Sequence, residues 1–158
     1  MSKAQERQDV TVLSASKRGL VHLTANDWTL IADKAKRIEF KQGEPIVQKG
    51  KRTQGVFLLL KGSARVQLAS RFRDTVPAIT AGEVCGEISF IDDLPATATV
   101  LALEPVEVFY LERSVLQSLF ELFPHLGSRF YRSLASSLSR RLRELIDTDP
   151  PAKPTPNQ

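Results

Sequence analysis

Hydrophobic and polar positions change their period twice along this chain. Between Ile38 and Leu111 the apolar residues fall in short runs: Ile38–Phe40, Pro45–Gln48, Gly55–Leu60, Ala64–Ala69, Val76–Thr80, Thr97–Ala102 and Val106–Leu111. Turn residues separate them, among them Lys41-Gln42-Gly43, Lys49-Gly50-Lys51, Lys61-Gly62-Ser63 and Ala81-Gly82-Glu83. Turns at intervals of roughly 8–12 residues predict a compact antiparallel sandwich or barrel. Alternation in Arg65-Val66-Gln67-Leu68 gives that strand one wet face. Upstream, Thr24 reads as a helix N-cap with Asp27 at the capping-box position. Trp28, Leu30, Ile31 and Ala35 follow with helical spacing, which predicts a helix over 25–36. Downstream, Ser114 reads as a second N-cap. Val115, Leu116, Leu119, Phe120 and Phe123 then share one face of a helix that Pro124 ends. A longer helix is expected over 126–146, with Leu126, Phe130, Leu134, Leu138, Leu142 and Leu145 on one stripe.

The ends read differently. Residues 1–20 are polar apart from Val10–Leu13 and are expected to form a flexible arm, leaving 21–147 as one domain. Pro150, Pro151, Pro154 and Pro156 predict a disordered tail over 148–158. A content of 42% hydrophobic and 25% charged residues is that of an ordinary globular protein. No apolar run approaches the roughly 18 residues of a membrane helix, and the N-terminus carries no apolar signal core. A cytoplasmic location without membrane contact is therefore expected. The single cysteine, Cys85, excludes an internal disulfide and reads as a small buried hydrophobe. With only His22 and His125 beside it, a metal cluster is not expected.

The net charge of +4 and pI near 9.4 raise the question of nucleic acid. Basic residues crowd Lys34–Lys41, Lys49–Arg52 and Arg129–Arg143, but the few aromatics there, Phe40, Phe130 and Tyr131, do not alternate with them as a stacking surface needs. On a helix, Arg129, Arg132, Arg140 and Arg143 lie broadly away from the leucine stripe, the pattern of a solvated face. No specific nucleic-acid partner is expected. No nucleophile–base pair or working pair of carboxylates stands out either, so the chain does not read as an enzyme.

The chemically informative stretch runs from Gly82 to Val100. Gly82 and Gly86 permit tight backbone geometry and close approach of a ligand. Glu87 opens a run, Ile88–Ile91, long enough for one helical turn, which Asp92-Asp93-Leu94-Pro95 stops. Free backbone N–H groups at the start of such a turn suit an anion, and a carboxylate beside them suits ribose hydroxyls. Glu83, Glu87, Asp92 and Asp93 accumulate here with no Lys or Arg between Thr75 and Val100, a local negative field that opposes a phosphate.

This segment resembles the phosphate-binding cassette of the cyclic-nucleotide-binding family. That family's pattern is Gly-Glu, hydrophobic residues, then Pro-Arg-Ser/Ala-Ala-Thr, and the match falls on Gly86, Glu87, Ile88, Phe90, Pro95, Ala98 and Thr99. The glycine frame of Gly50, Val56–Gly62 and Gly82 is also similar to the family's, and the likeness covers about 24–146. It implies an α+β, mainly β fold: an antiparallel β-roll of double-stranded β-helix (jelly-roll) type, with an N-terminal helix and C-terminal lid helices. It further implies that Glu87 holds a ribose 2′-hydroxyl, and that backbone N–H groups around Gly86, Glu87 and Ala98, with the Thr97 hydroxyl, meet the phosphate. Thr99 would face the purine. The family's arginine after the proline, which pairs with the phosphate, is replaced here by Ala96. Losing such a contact costs on the order of 1.5–3 kcal/mol. Arg71 or Arg73, on the loop before the cassette, are candidate substitutes.

The resemblance thus implies a regulatory module without a cofactor, whose ligand is cAMP, cGMP or a cyclic dinucleotide. It would signal through its C-terminal helices to a separate effector protein, and the leucine stripe of 126–146 suggests a homodimer. The family's transcription factors continue into a helix-turn-helix, for which the proline-rich tail leaves no room. The rival reading is a ligand-independent interaction or scaffold domain with a decayed pocket.

Overall fold

The computed structural model describes residues 2–68 and 77–147. Two helices lead, α1 (Lys3–Ala15) and α2 (Ala25–Lys34), then strands β1 (Lys36–Phe40), β2 (Pro45–Val47), β3 (Gly55–Lys61), β4 (Ala64–Val66) and β5 (Val84–Cys85). A short helix, α3 (Glu87–Asp92), interrupts them before β6 (Val100–Ala102) and β7 (Val106–Glu112). Helices α4 (Arg113–Leu122) and α5 (Pro124–Asp147) close the domain. The strands make two antiparallel sheets, ordered β1-β7-β3-β5 and β2-β6-β4. This is the β-roll with flanking helices that the sequence led us to expect.

The apolar run of β3 follows from burial on both faces. Val56, Leu58 and Leu60 join one core with Phe109 and Leu111 of β7, packed against Trp28, Ile31, Leu116, Phe130 and Leu134 of the helices. Leu59, Val106 and Val108 point the other way, into a second core inside the roll with Ile46, Val47, Ala64, Cys85, Ala96 and Val100. Strand β7 holds the centre, in register with β1 (Ile38 opposite Val108) and with β3 (Phe57 opposite Tyr110).

Several expectations need correction. Much of the arm expected over residues 1–20 is helical: α1 takes up Lys3–Ala15, capped by Ser2, whose side chain accepts from Gln5 N. Of its residues only Asp9 and Leu13 are buried, so the apolar stripe is too thin to show as a period. Leu13 and Leu20 enter the helix-side core, and Asp9 pairs with Arg37 of β1. The next segment docks on α5 through His22 N, which donates to Ser133 Oγ at 3.0 Å.

Helix α4 starts at Arg113 rather than behind Ser114, because Arg113 N is already bound to Gln54 O at 2.7 Å. Pro124 does not only end α4; it is the first residue of α5, where a missing N–H costs nothing. The run expected over Thr97–Ala102 becomes strand only at Val100. The main chain before it pairs with loops instead: Ala96 N donates to Lys51 O at 2.9 Å, and Thr99 O accepts from Gln67 N at 2.8 Å. Of the run Val76–Thr80, Ile79 makes an isolated bridge with Ala64, and Val76 lies outside the described residues, as do Ala69, Arg71, Arg73 and the tail 148–158.

Candidate functional site

Strand β5 delivers the chain to Gly86, whose left-handed φ of 82° a side chain rarely tolerates. A Cβ there would also stand 3.3 Å from the Phe57 ring. Glu87 follows at once and opens α3. Asp93, with φ 57°, closes that helix by donating its N–H to Ser89 O at 2.9 Å. Arg113 fastens the same end from α4: its guanidinium donates to Phe90 O at 2.9 Å and Ser89 O at 3.1 Å, and lies 4.8 Å over the Phe90 ring.

Between this segment, the roll and α5 lies a cavity of about 310 Å³, a size at the lower end for small-molecule sites. Val47, Val66, Ile79 and Val100 line it from the roll, and Leu138, Arg141, Leu142 and Leu145 from α5. The cassette brings Gly86, Glu87 and Ile88 to one wall and Ala96, Thr97 and Ala98 to another. Thr99 does not line it; its hydroxyl accepts from Lys49 N at 3.0 Å and so belongs to the neighbouring loop.

Glu87 is 3% exposed. Arg141 Nη1 donates to its Oε1 at 2.5 Å, and Arg141 Nη2 donates to Val84 O. Burial pushes the Glu87 carboxyl above its ordinary range, with the arginine opposing that shift. The same desolvation raises the Cys85 thiol strongly. Glu83 is equally buried and well served: Thr80 N, Thr80 Oγ1 and Arg18 Nε donate to it at 2.8, 3.1 and 3.2 Å, and Arg140 stands 3.5 Å away. Arg18 also grips both carboxylate oxygens of Glu144 on α5, at 2.6 and 3.0 Å.

The local negative field read from the sequence is therefore largely offset on folding, with Asp92 exposed and accepting from Leu94 N. Glu83, Glu87 and Asp93 each meet an arginine from a distant segment, the last at 3.8 Å from Arg113. The solvated arginine face of α5 is corrected too. Arg129 pairs with Asp27, Arg140 donates to Arg18 O, and Arg141 turns into the cavity, while Arg132 and Arg143 remain exposed.

Arg141 is the site residue that sequence reasoning missed. Its signal was available: positions 138, 141, 142 and 145 have i, i+3, i+4, i+7 spacing, so this arginine sits within the leucine stripe rather than opposite it. Among the described residues no group of three or more His, Cys, Asp or Glu is placed to hold a metal ion. None of their helices is long and apolar enough to cross a membrane.

Residues 37–122 match the sequence pattern of the cyclic nucleotide-binding domain. The chain belongs to that family. The cyclic GMP-binding protein C of Dictyostelium discoideum is 30% identical to this cyclic nucleotide-binding domain over 155 residues, covering 89% of the chain and 6% of that protein. The cyclic AMP receptor protein of Thermus thermophilus is 32% identical over 108 residues, covering 66% of the chain and 48% of that protein. The chain thus spans less than half the length of either relative. A solved cyclic nucleotide-binding domain from Methylobacillus flagellatus superposes with a TM-score of 0.76 at 21% identity, over 91% of this chain and 82% of that one, and so shares its fold.

Proposed function

We propose that this domain is a regulatory sensor that binds a cyclic nucleotide (cAMP, cGMP or a cyclic dinucleotide) in the cavity beneath α5. One observation carries the reading: Glu87, the residue that matches the family's ribose-binding glutamate, is buried at the wall of a cavity large enough for a small ligand. Relatives named for cyclic GMP and cyclic AMP support the ligand class. Four residues of α5 line the same cavity, so occupancy acts directly on that helix. From there the signal passes to a separate effector protein in the cytoplasm. Leu142 and Ile146, 58% and 63% exposed near the end of α5, offer an apolar face for a homodimer.

Thermal shift of the purified protein against cAMP, cGMP and cyclic dinucleotides tests the reading. A ligand at 100 times its dissociation constant adds about 2.7 kcal/mol, which raises the melting temperature by several degrees for a domain of this size. The scaffold reading is favoured by two features: Glu87 already has a partner in Arg141, and Ala96 brings no cation. A flat response to every ligand selects that reading.

A further inference from the structure

Resting on the cyclic-nucleotide reading, we propose that Arg141 is the anion-binding residue of this cavity, supplied by the lid helix in place of the cassette arginine that Ala96 lacks. Among the described residues Arg141 is the one Lys or Arg that lines the cavity, and Ala96 lines it as well. The nearby basic loop does not compete. It meets Ala96 through main chain only, Gly50 N donating to Ala96 O at 2.7 Å and Lys51 O accepting from Ala96 N at 2.9 Å, and none of Lys49, Lys51 and Arg52 lines the cavity.

Three features suit Arg141 to the task. Its hydrogen bonds to Glu87 and Val84 use only two N–H donors of a fork that carries more, so it serves a further oxygen without releasing the carboxylate. A lysine would not offer this planar, divided recognition. The chemistry of the ligand fits as well: in a 3′,5′-cyclic nucleotide the 2′-hydroxyl and the phosphate sit on adjacent ribose positions. A hydroxyl bound to Glu87 thereby brings the phosphate beside the guanidinium already bound to that same carboxylate. Finally, the helical turn bearing Arg141 is held in place. Glu144 is gripped by Arg18, which also reaches Glu83, and Arg140 donates to Arg18 O at 2.6 Å. Arg141 is therefore presented to the cavity by a braced backbone rather than by a free helix end. Binding of the anion then links ligand, cassette and α5 through one side chain.

Calorimetric titration of cAMP, cGMP and a cyclic dinucleotide into the wild-type protein, R141Q, R141K and the double variant A96R/R141Q decides the matter, with urea unfolding of each as the check on folding. R141Q is expected to weaken whichever of these binds the wild type about tenfold or more, R141K by less, and A96R added to R141Q to recover most of the loss. Recovery by a cation placed elsewhere on the cavity wall is something a purely structural Arg141 would not produce. Undiminished or tighter binding by R141Q overturns the proposal, because Arg141 would then compete with the ligand for Glu87. A loss that A96R does not repair overturns it too, leaving Arg141 as a support for the lid. Should R141Q not fold, R141K decides: affinity unchanged from wild type overturns the proposal. Binding by A96R/R141Q without binding by wild type refutes the role of Arg141 alone. No binding of cAMP, cGMP or a cyclic dinucleotide to any of the four proteins removes the cyclic-nucleotide reading and this inference with it.

Discussion

Arg129 closes on Asp27 through paired hydrogen bonds, Nε to Oδ2 at 2.6 Å and Nη2 to Oδ1 at 2.8 Å, and so ties α5 to the first turn of α2. The same carboxylate accepts from Thr24 N at 3.0 Å, while Thr24 Oγ1 accepts from Asp27 N at 3.1 Å. One buried aspartate thus completes a capping box and anchors the long helix from a hundred residues away in sequence.

That double duty makes stability depend on pH. The Arg129 hydrogen bond, opposed by burial, holds the Asp27 carboxyl below its ordinary value of 3.8. The unfolded chain therefore takes up this proton at higher pH than the folded one. The contribution is fully present above 3.8 and is lost as pH falls through the lower folded value. Asp27→Asn keeps an acceptor for Thr24 but removes the charge. Its unfolding free energy, measured by urea titration from pH 5 to pH 2, is expected to fall less steeply than that of the wild type. Parallel curves would show that the pair contributes nothing to the slope.

For the assembly, the expected outcome is a dimer by light scattering that the pair of changes Leu142→Glu and Ile146→Glu converts to a folded monomer. Both side chains are more than half exposed, so neither change opens a buried core. Circular dichroism checks the fold. A dimer that survives both changes places the interface elsewhere.

Nucleic acid is expected to bind only weakly. Three of the five arginines between 129 and 143 are engaged within the domain, Arg129 by Asp27, Arg140 by Arg18 O and Arg141 by Glu87, which leaves Arg132 and Arg143 for phosphates. Gel shifts across a salt series should show dissociation constants no tighter than the ~10⁻⁴–10⁻⁶ M of non-specific contacts, weakening steeply as salt rises. Sequence-selective retention at physiological salt would refute this.

What the chain revealed before folding was local. Gly43, Gly50, Gly62, Gly82 and Gly86 all take positive φ, so the turns they punctuate were readable as turns. Thr24 and Asp27 form the capping box that their spacing announced. Gly86, Glu87, Ile88, Ala96, Thr97 and Ala98 come together on one cavity because the short helix and the loop after it are determined by neighbours in sequence. What stayed hidden depends on partners far apart. Helix α1 is polar and docks by Leu13 and the Asp9–Arg37 pair, neither of which makes a period. Glu83 looked like bare charge because Arg18 and Arg140 come from opposite ends of the chain. Thr99 matched the family pattern, yet a single backbone donor, Lys49 N, turns it out of the cavity.

Cys85 is 1% exposed, lines the cavity beneath α5, and is the only cysteine in the sequence. Its consequence is kinetic. A thiol reagent meets this sulfur only when the surrounding wall of the cavity opens enough to admit it, and burial, which pushes the thiol pKa up, disfavours the reactive thiolate until then. The rate of single-adduct formation, followed by mass spectrometry on the unmodified protein, therefore counts opening events. A ligand in the cavity that Cys85 lines slows that rate in proportion to its occupancy, so the molecule carries its own gauge of how often the site is filled.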